Sequence, residues 1–158
     1  MKRVNNIMHH PMYVAKLEQL QALEADRIFC RHDLQHLLDV ARLIWIEVLE
    51  QQLKIDREVI YAAALLHDIG RVDQIEHGTP HDQASAELAA KLLPDAGFSE
   101  KEVQAIILAI LAHRTDSSPN TLGQLLYRAD KRSRACWSCS ARNQCKWPEE
   151  KKNIGVFR

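Results

Sequence analysis

Five apolar helical stripes in this chain each carry a histidine or an aspartate on the stripe itself, and that placement limits the fold more than any other feature. His36 shares a face with Val40 and Leu43, and His67 shares one with Ile60, Ala63 and Ala64. His81 precedes Ala84, Ser85 and Leu88 at helical spacing, and His113 follows Ile106, Ala109 and Ile110. Asp130 follows Leu126 and Tyr127 at offsets of four and three, again one face of a helix. A buried polar group without a partner costs about a few kcal/mol. One such residue reads as a core histidine satisfied by a backbone carbonyl. Five on five helices read as a shared site, and the helices must pack so that these positions converge.

The rest of the pattern is helical as well. Apolar residues recur at three- and four-residue spacing, and no segment alternates as a strand. The spacing predicts helices over about 13–25, 33–53, 56–70, 81–93, 99–113 and 121–134. Asp33 reads as a helix N-terminal residue, Asp56 as an N-cap, Gly70 as a C′ residue and Pro94 as a stop; Ser99 with Glu102 makes a capping box. RVDQIEHGTP and TDSSPN read as polar loops. His9 and His10 read as surface residues near a mobile terminus, and His77 as either a solvated loop residue or a substrate contact. The expected architecture is all-α: one domain of five or six helices over 1–135, its core at about 28–134. A Cys- and Lys-rich tail, 136–158, is expected to pack on it.

Lys+Arg and Asp+Glu balance at 21 each, so bulk charge favours neither nucleic acid nor a membrane surface as partner. The longest apolar runs, Val59–Leu66 and Ile106–Ala112, are too short to cross a bilayer, and the first residues lack the features of a signal peptide. A cytoplasmic protein is expected, and its four cysteines then read as metal ligands or free thiols rather than disulfides. The oligomeric state is not readable from the sequence.

Imidazole and carboxylate together suit iron, manganese, zinc or nickel. Asp68 follows His67 and adds a sixth ligand-type residue, more than one catalytic ion needs if it is to keep positions open for water and substrate. Six ligands fit two ions roughly 3.5–4 Å apart, with Asp68 reaching between them while His67 binds one.

ALLHDIGR, preceded by HLLDVARL and followed by HDQASAEL, ILAHR and LYRADK, resembles the HD-domain metal-dependent phosphohydrolase superfamily. The likeness spans about residues 28–134, and its ordered ligands fall on His36, His67, Asp68, His81, His113 and Asp130. It is similar in particular to the two-metal branch that hydrolyses dinucleoside tetraphosphates. The resemblance implies a compact helical bundle, two divalent metal ions, and hydrolysis of a phosphoester or phosphoanhydride of a nucleotide or similar small phosphorylated metabolite by a metal-activated water. Arg71, Arg114 and Lys131 lie beside ligands in sequence and read either as phosphate holders or as solvated helix-end cations; Arg134 is a weaker candidate of the same kind. His32, in a second His-Asp pair with Asp33, reads as a group at the edge of the site or as a bystander. Alternative readings are a di-iron oxygenase of the same superfamily, a non-catalytic regulatory module, and nucleic-acid binding through the basic, aromatic tail KRSRACWSCSARNQCKW, which the neutral overall charge disfavours.

Cys136, Cys139 and Cys145 give C-x2-C-x5-C. Cys30 lies six residues before His36, and Cys136 six residues after Asp130. If those helices run antiparallel, the two cysteines leave the centre in the same direction. A second site of four thiolates, holding structural zinc or an iron–sulfur cluster, is the expectation; reduced, unliganded thiols are the alternative.

Overall fold

Helix α4, Arg57–Leu66, forms the middle of the molecule because all of it but Arg57, Glu58 and Tyr61 is buried. Its Ala62-Ala63-Ala64 run is fully buried and lets neighbouring helices approach closely. The computed structural model describes residues 1–115 and 121–155. Within them lie α1 (Lys2–Met8), α2 (Pro11–Leu23), α3 (Leu34–Glu50), α4, α5 (Arg71–His77), α6 (His81–Asp95), α7 (Glu100–Ala112) and α8 (Thr121–Arg132). Three single-turn 3-10 segments follow, at Cys136–Ser138, Arg142–Gln144 and Glu149–Lys151. No strand occurs among the described residues, so the expected all-α bundle is what forms. Helices α3, α7 and α8 pack around α4, and α6 packs across α7. Leu37, Ile44, Ile60, Leu65, Ile106 and Leu125 are among the fully buried side chains at the centre of the core.

The helices are more numerous than the five or six expected. The N-terminal residues expected to be mobile form α1, which buries Val4 and Ile7. Arg3 fastens it through ion pairs to Asp56, Glu58 and Glu102. His10 is the N-cap of α2, its side chain accepting from the Met12 amide, with Pro11 at the first helical position. The segment read as the polar loop RVDQIEHGTP holds α5, whose only buried residue is Val72. One apolar contact in seven residues leaves no periodic signal, and Gly78, at φ 75°, ends the helix in the left-handed region.

Boundaries shift in several places. α3 stops at Glu50, and Gln52 turns the chain at φ 54°. α4 stops at Leu66 rather than near Gly70, so His67 and Asp68 lie in the turn between α4 and α5. Pro94 lies inside the last turn of α6, which runs on to Asp95. Ser99 and Glu102 do form the capping box of α7, and Asp33 and Asp56 cap α3 and α4. Of the segment TDSSPN, residues 116–120 lie outside the described residues, as do 156–158.

Gly70 fixes how the α4–α5 turn meets α6. A Cβ there would come within 2.4 Å of the His81 carbonyl oxygen and the Ser85 backbone nitrogen. Its amide donates to Ser85 Oγ at 2.9 Å. Only glycine allows the turn carrying His67-Asp68 to lie directly on the first turn of α6, where His81 begins the helix.

Candidate metal centre

The ligand-type residues sit at or close to helix ends, where backbone groups lack intrahelical partners. His67 and His113 are the C-cap residues of α4 and α7. Each donates its Nδ1–H to the carbonyl three residues back, His67 to Ala64 at 2.7 Å and His113 to Ile110. His81, the first residue of α6, donates Nδ1–H to Gln74 Oε1 at 2.8 Å. His36 has its Nδ1 3.1 Å from Ser133 Oγ, and that hydroxyl donates to the Asp130 carbonyl at 2.8 Å. With every Nδ1 facing an acceptor, the Nε2 lone pair is left to point inward.

These Nε2 atoms surround Asp68. On one side of its carboxylate, Oδ2 lies 3.2 Å from His67 Nε2 and 3.7 Å from His36 Nε2. On the other, Oδ1 lies 3.4 Å from His81 Nε2 and 3.9 Å from His113 Nε2. Asp130 Oδ1 lies 3.5 Å from His36 Nε2. Two groups result, each with its ligand atoms all within 4.8 Å of one another: His36, His67, Asp68 and Asp130, and Asp68, His81 and His113. Asp68 belongs to both. All six residues read from the sequence therefore meet, although Asp68 reaches its place from a turn and not from a helix face.

The donor set fits metal ions. His36 Nε2, His67 Nε2 and Asp68 Oδ2 are buried and have no hydrogen-bond partner. Buried polar atoms left unpaired cost about 1–3 kcal/mol each. Their convergence on one point is explained if cations complete them.

The electrostatics prepare the same groups. Burial pushes His81 down to about 4 against the pull of Asp68. Burial, reinforced by His67, pushes His113 down to about 4. Both are neutral at pH 7, the state in which an imidazole can bind a metal ion without proton competition. Burial opposes ionisation of Asp68, but His67, His36 and Arg71 outweigh it and hold the carboxyl well below its usual range. Asp130 is likewise held low against burial, chiefly by the Arg134 guanidinium. Burial lowers His67 too, yet the charge of Asp68 overcomes this and leaves it above its ordinary value.

The basic candidates divide. Arg71 donates Nε–H to Asp68 Oδ1 at 3.0 Å, and Lys131 Nζ donates to Asp130 Oδ2. Arg134 donates to Asp130 Oδ1 at 2.7 Å and is nearly buried. Arg114 is more than half exposed and reaches Asp82, the neighbour of His81. His77 is two-thirds exposed beside Glu76.

Four residues were undervalued or missed in the sequence. His32 is buried, with Nε2 unpartnered and 3.8 Å from Asp68 Oδ2. Its Nδ1 lies 2.8 Å from Glu24 Oε1, and Glu24 also accepts from the His32 amide. Gln74 and Ser133 orient His81 and His36. The His32-Asp33 doublet was a visible signal for the first; Glu24, Gln74 and Ser133 look like ordinary helix-surface residues and left none.

A helical bundle that gathers five His and Asp side chains around one shared carboxylate defines a class of domain able to bind metal ions. The HD domain family matches residues 33–135, and the chain belongs to it. It is 43% identical over 157 residues to an uncharacterized protein of Clostridium beijerinckii, covering 99% of both. It is 32% identical over 120 residues to ribonuclease Y of Thermoanaerobacter pseudethanolicus, covering 76% of this chain but 22% of that one. A predicted HD superfamily hydrolase from an uncultured Thermotogales bacterium has the same fold, with TM-score 0.68 and 24% identity over 92% of this chain and 82% of the other. Among the described residues, no helix is long and apolar enough to cross a membrane.

Proposed function

We propose that the protein is a metal-dependent phosphohydrolase that holds two divalent ions, one on each side of Asp68, and cleaves a phosphoester or phosphoanhydride of a nucleotide or similar small metabolite. The observation that carries this reading is the sharing of Asp68 between two chelating groups. His36, His67 and Asp130 would hold one ion, and His81 and His113 the other. When bound, such ions supply a water acidified toward neutral pH and charge neutralisation at a phosphoryl group.

The chain's own residues do the rest. The Nδ1 bonds of His36, His67, His81 and His113 fix their rings and tautomers. Lys131, partly exposed beside Asp130, offers a point charge to a phosphate oxygen, and Arg71 offers a fork beside Asp68. Next to Lys131 lies a cavity of about 550 Å³ lined by Tyr127, Arg128, Arg132, Trp147 and Lys151. Its size, its two aromatic faces and its cations suit a nucleobase with attached phosphates. Relatives named for ribonuclease activity support a phosphodiester as a further member of the substrate class.

The test is turnover of a panel of nucleotides, dinucleoside polyphosphates and short RNA by protein loaded in turn with manganese, iron(II), nickel and zinc. Metal-dependent product release, abolished in Asp68→Asn, is the expected result. No turnover of any substrate with any metal contradicts the proposal.

A further inference from the structure

All four cysteines of the chain gather around one nearly buried arginine, Arg134. Cys30, Cys136 and Cys139 line one cavity with Arg134, and Cys30 and Cys145 line the adjoining one with the same arginine and Trp147. None of the four is in a disulfide. Neither Cys30 nor Cys136 lies on a helix that bears a ligand: Cys30 is in the α2–α3 connection, and Cys136 opens the first 3-10 turn after α8. The helical register used to relate them in the sequence therefore does not apply, yet they share a wall.

Around the cysteines the chain has little else to hold it. Between 136 and 155 only Cys136, Ala141 and Lys152 are buried, and three single 3-10 turns are the only regular structure. So small a buried apolar area cannot order some twenty residues, and segments of this kind rely on a metal or a crosslink. Polar ties do exist, with Asn153 Nδ2 donating to the carbonyls of Lys131 and Arg134 at 2.8 Å. The turns put Cys136 and Cys139 at the two ends of one 3-10 segment and Cys145 at the end of the next, the arrangement of a metal knuckle.

We propose that Cys30, Cys136, Cys139 and Cys145 form a second, four-thiolate metal site that pins the C-terminal segment to the α2–α3 connection. The charge balance is in place. Four thiolates on one metal centre carry net negative charge, and Arg134, which lines both cysteine-bearing cavities, has a buried Nε with no partner. Arg134 also binds Asp130, and its guanidinium lies 5.1 Å from the Trp147 ring centre. The thiolate site thus holds in place the cation that orients a ligand of the His/Asp centre. Among the described residues, the thiols do not form a group with ligand atoms all within 4.8 Å of one another, as the two groups at Asp68 do. A zinc ion and an iron–sulfur cluster are both bound by four thiolates, and the sulfide content tells them apart.

The experiment is zinc, iron and acid-labile sulfide analysis of protein purified anaerobically without chelator, as wild type, Cys139→Ser and Asp68→Asn. A thiophilic metal kept in Asp68→Asn and lost in Cys139→Ser supports the site; matching sulfide identifies a cluster, and its absence a zinc ion. Equal metal content in wild type and Cys139→Ser overturns it. Since Cys139→Ser can fail to fold, thiol labelling of the wild-type protein is the second measurement. Four thiols protected together, and exposed together by a chelator, support the site; thiols that label independently, at rates that neither chelator nor added zinc changes, overturn it.

Discussion

Each imidazole at the centre is set by what its far nitrogen touches, so residues that meet no metal still decide metal affinity. Gln74→Ala removes the acceptor of His81 Nδ1–H. Loss of such an orienting partner typically costs about 10–100-fold in metal affinity, and manganese titration by calorimetry should show that loss at one of two sites; unchanged affinity at both contradicts the assignment. Titration of the histidines gives a second expectation. His81 and His113 stay neutral down to about 4 in the folded, metal-free protein, whereas in an unfolded chain they protonate near the ordinary value of 6.5. The unfolded state then binds more protons between those values, so stability falls as pH drops through that window. His67, raised by Asp68 against the effect of its burial, works the other way and blunts the fall. Melts of EDTA-treated protein should give a lower Tm at pH 5 than at pH 7; an equal or higher Tm contradicts this. The six candidate ligands were legible because each lies on or beside an apolar stripe, where a polar side chain is conspicuous. His32 showed only through its doublet with Asp33, since it sits in a connection without periodicity, and Glu24, which holds it, is a helix C-cap carboxylate that looks solvent-facing in the sequence.

Among the elements, the turn after α4 carries the most consequence. It delivers His67 and Asp68, and Gly70 lets it lie against the first turn of α6. Gly70→Ala forces a methyl onto backbone atoms that cannot rotate away. Overpacking of this kind costs about 1–3 kcal/mol or more, and it should separate His81 from Asp68. Denaturant unfolding should show the stability loss and metal titration the weakened second ion; wild-type values in both contradict the role given to this contact. The long helices could be read from their spacing and caps, as at Asp56 and at Ser99 with Glu102. α1 and α5 could not. Each has seven residues, and they bury two side chains and one respectively, so tertiary contacts rather than periodicity stabilise them.

Taken as a whole molecule, the bundle gathers candidate ligands from five parts of the chain at one centre, and beside that centre it places a basic, aromatic-lined cavity. Lys131 lies between the two, touching Asp130 and lining the cavity. Lys131→Ala should raise KM for a phosphorylated substrate or lower kcat/KM by about tenfold or more, the loss of one charge-assisted hydrogen bond, while metal content stays at the wild-type level; unchanged kinetics would remove Lys131 from substrate binding. The central claim is that Asp68 bridges two ions. Anomalous diffraction from crystals soaked in manganese tests it most directly: two peaks, one beside His36, His67 and Asp130 and one beside His81 and His113, are predicted. A single peak, or none between these residues, would contradict it.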